Sequence, residues 1–178
     1  ILAPIFSTVN DEDGVELQRL VGFKVVYVFD ISQTEGEPLP EPPNWKSPEK
    51  NAELQARLLR FAEHKGIQVE LEHLGHDIQG VSKGGKVGID PEAGTKTLIH
   101  EIAHELLHHG EHRPTSRIIR ELEAESVAYV VGRHFGLNGL ASPNYIALHG
   151  ATAELLLEHL ERVRDTAAEI IRSLEVEH

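Results

Sequence analysis

The sequence contains no cysteine, and this absence limits the chemistry open to the chain. Without thiols it can form neither a disulfide framework nor a thiolate metal site, so any metal must be held by histidine and carboxylate side chains. Aromatic residues are also scarce, at 5% of the chain, although a hydrophobic fraction of 40% is enough for a core. We therefore expect a core that is mainly aliphatic.

Long apolar runs and an excess of basic residues are missing as well. No stretch approaches the roughly 20 apolar residues that cross a bilayer, so no membrane partner is expected. Seventeen Lys and Arg against 29 Asp and Glu give a net charge of -12. Because phosphate neutralisation requires a basic surface, nucleic-acid binding by this segment alone is not expected. No signal peptide is visible, and we expect a cytoplasmic location.

A proline-rich stretch at 33–43 divides the chain. Prolines at this density exclude helix and sheet interiors and predict an extended segment. Before it, 1–6 and 22–31 have strand character, which predicts a small β unit with a hairpin at most. We therefore place residues 1–44 in a small β unit with a linker, and 45–178 in the main domain.

Helix and strand patterns alternate after this boundary. Ser47-Pro48 is typical of a helix start, and apolar residues at helical spacing follow it. Short strands are predicted at 67–71 and 86–90, with irregular chain at 75–82. Further helices are predicted at about 95–109, at 116–135, from Ser142-Pro143 for a short distance, and at 152–176. The predicted class is α+β, with a small, mostly antiparallel sheet packed against a helical half.

The strongest functional pattern is His-Glu-Ile-Ala-His at 100–104. Positions i and i+4 lie on one helix face, one turn apart, so His100 and His104 can reach one ion. Glu101 can reach a water bound to that ion. This is the HExxH pattern of zinc peptidases, which supplies two ligands and a general base.

The third ligand is not found within the same helix. Leu107 and Gly110 stand where the longer metzincin motif requires Gly and His. A straight helix spreads three histidines at i, i+4 and i+8 along about 12 Å of its axis, too far to converge on one ion. His108, His109 and His112 are therefore interpreted as helix C-terminal residues that oppose the dipole.

The next helix carries three glutamates, and we select Glu123 as the third ligand. Glu123 shares a stripe with apolar Val127, and a carboxylate there costs on the order of several kcal/mol unless it is paired or metal-bound. Glu125 is the rival ligand, whereas Glu121 is expected to face solvent. The implied His₂Glu set leaves one position for water, as in catalytic zinc sites.

A peptidase also needs a group that stabilises the oxyanion. His134, Tyr145 and His149 are candidates for this role or for substrate contact, and the sequence does not choose among them. The predicted strand at 86–90 is either an edge along which an extended substrate pairs or a plain sheet edge.

These motifs resemble those of a known group of metallopeptidases. Residues 97–107 (TLIHEIAHELL), followed by 121–129 (ELEAESVAY), resemble the ImmA/IrrE-type metallopeptidases. Among these, the chain is most similar to the ArdC-like proteins of phages, plasmids and actinobacterial mobile elements. The stretch 28–40 (VFDISQTEGEPLP) is similar to the segment that joins the ArdC-like single-stranded-DNA-binding domain to the peptidase domain.

The resemblance implies a zincin-like fold of the gluzincin type with one Zn²⁺ ion and Glu101 as general base. The family's third ligand is a Glu followed by Ala, which Glu123-Ala124 matches, whereas Glu125 stands where many such peptidases have Asn. The resemblance also implies that residues 1–44 are the remnant of an N-terminal domain otherwise absent. Binding of single-stranded DNA is then a property of a longer parent chain.

We therefore expect a zinc-dependent endopeptidase that acts on a protein or peptide substrate. The alternative is an antirestriction or DNA-protection module in which the metal is mainly structural. An intact Glu101 favours the enzyme, because a structural metal site does not need a general base.

Overall fold

A computed structural model describes residues 1–10, 16–30, 33, 35–36, 48–75, 78–110, 113–138, 140 and 151–176. The chain divides into two compact units, Ile1–Glu41 and Pro42–His178. No helix among the described residues is both long enough and apolar enough to cross a bilayer. The interpretation of the first unit as the remnant of a larger domain stays a prediction.

The first unit contains an antiparallel hairpin. Strand β1 (Leu2–Asn10) pairs with β2 (Glu16–Val25), as the predicted β unit requires. The second strand begins and ends earlier in the chain than the predicted 22–31, and its last residue, Val25, pairs with Leu2. The Ile1 carbonyl accepts a hydrogen bond from the Val26 N–H, one residue beyond the end of β2.

The second unit combines a three-stranded sheet with helices, so the predicted α+β class is confirmed. Its strands are β3 (Gln68–Leu71), β4 (Gly80–Ser82) and β5 (Lys86–Ile89). Its helices are α1 (Ala52–His64), α2 (Thr95–His108), α3 (Arg117–His134) and α4 (Ala153–Val176). The short helix predicted from Ser142-Pro143 lies outside the described residues.

Strand β5 is the centre of the three-stranded sheet. The strand order is β3-β5-β4, with β5 parallel to β3 and antiparallel to β4. The prediction that 86–90 forms an edge is therefore wrong. The edge beside α2 is β4, in a stretch predicted to be irregular, because a strand of three residues is too short to show an alternating pattern.

Helix α1 begins later than Ser47-Pro48 predicted. Asn51 is its N-cap, and its side chain accepts a hydrogen bond from the Leu54 N–H at 3.0 Å. The Asn51 N–H also donates to Thr95 Oγ1 at 2.8 Å, which ties this cap to the start of α2. Asn and Ser are about equally good N-cap residues, so the additional hydrogen bond to Thr95 favours a helix that starts after Asn51.

Helix α2, which carries the HExxH motif, lies at the centre of the second unit. It contacts β4, β5 and the other three helices. Its buried apolar residues are Leu98, Ile99, Ile102 and Ala103. Phe61 is the only aromatic side chain among the buried hydrophobic residues of the described chain, so the predicted aliphatic core is confirmed.

Glu105 ties α2 to the turn between β4 and β5. Its Oε1 accepts hydrogen bonds from Ser82 Oγ at 2.6 Å and from the N–H groups of Lys83 and Gly84 at 3.0 Å. Its Oε2 accepts a bond from the Gly85 N–H at 2.6 Å. Both glycines have φ near +80°, which lets successive N–H groups converge on one anion. Burial alone would raise the pKa of Glu105, but these bonds hold it below its usual value.

Candidate metal centre

The two motif histidines meet a carboxylate from the next helix. His100 Nε2 and His104 Nε2 are 3.0 Å apart. Glu121 of α3 places its Oε2 at 3.6 Å from His100 Nε2 and at 3.8 Å from His104 Nε2. One ligand atom from each residue therefore faces a common point, and we call this set the His₂Glu triangle.

The dimensions of the His₂Glu triangle fit a divalent metal ion. A tetrahedral site with bonds of about 2.1 Å separates its ligand atoms by about 3.4 Å. The three separations here are 3.0, 3.6 and 3.8 Å. Two imidazoles and one carboxylate are also the donor set of catalytic zinc sites. The described part of the chain thus contains a candidate metal site.

The charges around the triangle also favour a cation. Burial alone would lower the pKa of His100, but the carboxylates of Glu121 and Glu125 raise it to about 10. Burial would raise the pKa of Glu121, but the two histidines hold it well below its usual range. A site that stabilises positive charge so strongly suits a metal ion, which would take the place of the proton.

Glu121 is not the carboxylate that the sequence pattern selected. It was expected to face solvent, but its side chain is only 15% exposed and lies against the two histidines. The structure does not bring the predicted ligand Glu123, or its rival Glu125, to the metal-facing nitrogens. Their carboxylates contact other groups.

Glu123 is fully buried, as its apolar neighbours on the helix predict, but its carboxylate is paired with other side chains of the protein. Its Oε2 lies 2.9 Å from His108 Nε2. Its Oε1 lies 2.8 Å from His159 Nδ1 and 3.1 Å from Arg162 Nε, both on α4. Burial would raise the pKa of Glu123, but these partners keep it below its usual value. The carboxylate thus needs no metal to be satisfied.

Glu125 contacts His100 from the side opposite the triangle. Its Oε2 lies 3.1 Å from His100 Nδ1, and its Oε1 forms an ion pair with buried Lys96. Burial would raise the pKa of Glu125, but the hydrogen bond from His100 and the charge of Lys96 lower it to about 2. A carboxylate on Nδ1 fixes the ring and its tautomer, so that Nε2 can act as a metal ligand. Glu125 therefore fits an orienting role.

Glu101 lies beside the triangle, against the edge strand β4. Only 8% of its surface is exposed, and burial raises its pKa to about 7. Gly80 of β4 makes this packing possible, because a Cβ at that position would lie 2.6 Å from Glu101 Cγ. A carboxylate with a pKa near neutrality suits proton transfer at neutral pH.

An open cleft of about 630 Å³ contains these groups. Strand β4 contributes Gly80, Val81 and Ser82 to its wall. The start of α3 and the residues just before it add basic groups, namely Arg113, Arg117 and Arg120. The cleft is thus negative around the triangle and positive at the N-terminal end of α3.

Of the other predicted contact residues, His134 is described by the structure, and it does not line this cleft. His134 Nε2 pairs with Glu175 Oε1 at 2.8 Å, and His134 does not line the cleft. Its position on α3, 13 residues after Glu121, puts it about 20 Å along the helix axis. The structure therefore does not bring His134 to the His₂Glu triangle, and its role in substrate contact stays a prediction. Tyr145 and His149 lie outside the described residues.

Two histidines interpreted as helix C-terminal residues have specific partners instead. His108 is 2% exposed and lies between His104 and Glu123. His109 Nε2 lies 2.6 Å from Ser82 Oγ, and His109 lines the cleft. The four-residue spacing after His104 is the sequence signal that places His108 on the helix face of His100 and His104.

Comparison with known proteins identifies similar solved structures. No protein-family model matches the sequence, and no curated protein matches it. The structure of the antirestriction ArdC protein from plasmid R388 in its Mn(II)-bound form has a TM-score of 0.49 and 16% identity, over 99% of this chain and 72% of that chain. The metal-free form gives 0.44 and 16%, over 98% and 69%. Both are described as antirestriction ArdC proteins. The assignment of this chain to the ArdC-like or ImmA/IrrE-type peptidases stays a prediction.

Proposed function

We propose that the second unit is a metal-dependent peptidase, with the His₂Glu triangle as the metal site and Glu101 as general base. The observation that supports this proposal is the position of Glu101, buried beside the triangle in the same cleft, where burial raises its pKa to about 7. A metal that only stabilised the fold would need its ligands but no such base.

A bound divalent ion would polarise a peptide carbonyl and lower the pKa of water. His₂Glu suits Zn²⁺, the ion expected from the sequence. Imidazole and carboxylate ligands together also accept Mn²⁺, the ion in one of the two similar ArdC structures. Zinc is therefore our proposal for the metal, with manganese as the second choice.

The residues of the chain would move the proton and align the substrate. Glu101 would take a proton from the attacking water and deliver it to the leaving amine. Gln79 and Lys83, which flank β4, are hydrogen-bonded through their backbones to Asp90 and Lys86, at the two ends of β5. Because backbone groups alternate in direction along a strand, Gly80 and Ser82 direct theirs away from β5, to the edge of β4 that no other described strand pairs with. An extended peptide would pair with that edge.

A cleavage assay tests the proposal. Unfolded casein and a mixed peptide library are incubated with the protein and Zn²⁺ or Mn²⁺, and the products are identified by mass spectrometry. We expect cleavage that a chelator stops and that added metal restores. Cleavage that persists in the chelator, or no cleavage of any peptide by protein with full metal occupancy, would contradict a metallopeptidase.

Replacing Gly80 by Ala should lower turnover without removing the metal. The new Cβ would lie 2.6 Å from Glu101 Cγ and 2.8 Å from its Oε1, so the base must move. A displacement of about 1 Å in a catalytic group can cost on the order of 100-fold in rate. The measurement is kcat on the best peptide, together with metal content.

Gly110→Ala is the matched control for this substitution. A Cβ at Gly110 meets no atom within 4 Å, so this variant should behave as the parent protein. Equal turnover by the two alanine variants would show that β4 does not position Glu101.

Antirestriction is the second candidate function, with a metal that mainly stabilises the fold. Both solved neighbours are described as antirestriction proteins, and neither description names a peptidase activity. In this case the protein would protect incoming DNA from restriction even with Glu101 replaced by Gln, and removing the metal would only lower its melting temperature. Protection assays on that variant separate the two candidates.

A further inference from the structure

A row of buried polar groups leads from His104 away from the cleft, and the proposed peptidase mechanism does not use it. His104 Nδ1 lies 2.7 Å from His108 Nδ1, and His108 Nε2 lies 2.9 Å from Glu123 Oε2. The other Glu123 oxygen contacts His159 and Arg162 of α4. We call the first three residues of this row the His104 relay.

Stability alone does not explain the His104 relay. His108 and Glu123 are among the most buried polar residues of the described chain. Replacing buried ionic groups by well-packed apolar side chains is often neutral or stabilising. A row of polar side chains at this position therefore indicates that their hydrogen bonds have a role other than stabilising the fold.

With Glu123 ionised and His108 neutral, the chemistry of the groups gives the direction of the two hydrogen bonds that join His104, His108 and Glu123. An ionised carboxylate only accepts, so His108 Nε2 must donate to Glu123. A neutral His108 then has an accepting Nδ1, which takes its hydrogen bond from His104 Nδ1–H. This leaves the lone pair of His104 on Nε2, the nitrogen that faces His100 and Glu121.

The contacts of His100 follow the same pattern as those of His104, with the outer nitrogen Nδ1 bonded and Nε2 facing the triangle. His100 Nδ1 contacts Glu125 directly, whereas His104 Nδ1 reaches Glu123 through His108. Each histidine of the triangle thus has its outer nitrogen connected to one carboxylate of α3. Carboxylate–histidine pairs of this kind fix the tautomer and ring orientation of metal ligands.

We propose that His108 and Glu123 are positioning residues that hold His104 in its metal-binding tautomer and orientation. The inference rests on the proposed metal site but not on peptide cleavage. Arg162 extends the connection, because its Nη2 also donates to the Leu107 carbonyl at 3.0 Å. Helix α4 therefore supports the metal site although it supplies none of the triangle's ligands.

Two substitutions test the relay by changing donors and acceptors with little change in shape. In Glu123→Gln the amide NH₂ can donate to His108 Nε2, which would reverse the row and put the His104 proton on Nε2, where it blocks metal binding. In His108→Gln the side chain can still accept from His104 and donate to Glu123. His108→Leu removes both bonds.

Affinity for Zn²⁺ alone is the main measurement, by competition with a chromophoric chelator and without any substrate. We expect Glu123→Gln and His108→Leu to weaken binding by about 10- to 100-fold, the effect of losing an orienting partner. His108→Gln should stay within about threefold of the parent protein. Imidazole ¹⁵N shifts of the metal-free protein should show the His104 proton on Nδ1 in the parent and on Nε2 in Glu123→Gln.

Glu175→Gln is the matched control, since Glu175 pairs with His134 outside the cleft and should leave Zn²⁺ affinity unchanged. Parent-like affinity in folded Glu123→Gln would overturn the relay, as would equal losses in His108→Gln and His108→Leu. If Glu123→Gln and His108→Gln both fail to fold without metal, the pair serves stability and the relay is also overturned. A parent protein that binds Zn²⁺ but cleaves no peptide would contradict the proposed peptidase and leave the relay intact.

Discussion

Replacing Glu101 by Gln is expected to abolish peptide cleavage while the protein keeps its metal. Gln has nearly the same size as Glu but cannot accept the proton of the attacking water. General acid–base catalysis contributes about 10²- to 10⁴-fold, so turnover should fall by this factor. The measurement is kcat on a peptide cleaved by the parent protein, with metal content determined on the same sample.

The melting temperature of the same variant provides a check on folding. Burial raises the pKa of Glu101 to about 7, which means that the folded state disfavours its charged form. Neutral Gln removes that cost above pH 7, so the metal-free variant should melt no lower than the parent protein. A folded, metal-loaded variant with parent-like turnover would exclude Glu101 as the base.

Replacing Glu121 by Gln is expected to cause the largest loss of metal of any α3 glutamate. Its Oε2 is the carboxylate oxygen that faces both His100 Nε2 and His104 Nε2, at 3.6 and 3.8 Å. Loss of an orienting partner costs about 10- to 100-fold in metal affinity, and loss of a ligand should cost more. Zn²⁺ affinity should therefore fall further in this variant than in Glu123→Gln or Glu125→Gln.

The order of the three affinities decides which carboxylate binds the ion. A parent-like Zn²⁺ affinity for Glu121→Gln, together with loss of metal from Glu123→Gln, would return the ligand role to Glu123 as the sequence pattern suggested. Loss of metal from Glu125→Gln alone would give that role to Glu125. Glu53→Gln, on the exposed side of α1, is the control for the change from Glu to Gln.

The long helices could be predicted from the sequence because their periodicity extends over several turns. The predicted range 116–135 for the second of them agrees closely with α3, whose N-cap Ser116 accepts from the Ile119 N–H. The three residues of β4 carry no such periodicity and were missed. Strand β4 is an edge because β5 lies between it and β3. The sequence pattern predicts β5 but places it at the edge of the sheet.

The choice among the three glutamates could not be made from α3 alone. Residues 122–128 are all buried, so no exposed side marks which face meets α2. Glu121 and Glu125 are one turn apart and contact His100 of α2, whereas Glu123 lies between them in sequence and contacts both His108, at the end of α2, and α4. Burial of Glu123 was predictable from its apolar neighbours. Its partners His159 and Arg162 were not, because they depend on how α4 packs.

Four residues of α2 connect the candidate metal site, the proposed base and the edge strand β4. His100 and His104 belong to the His₂Glu triangle, and Glu101 lies beside them. Glu105 accepts hydrogen bonds from Ser82, at the end of β4, and from the turn that follows it. These groups lie within less than two turns of α2, so any movement of the helix displaces them together. Looser packing of α3 or α4 would lower the affinity for a metal ion. It would leave the distance between Glu101 and a peptide paired with β4 unchanged.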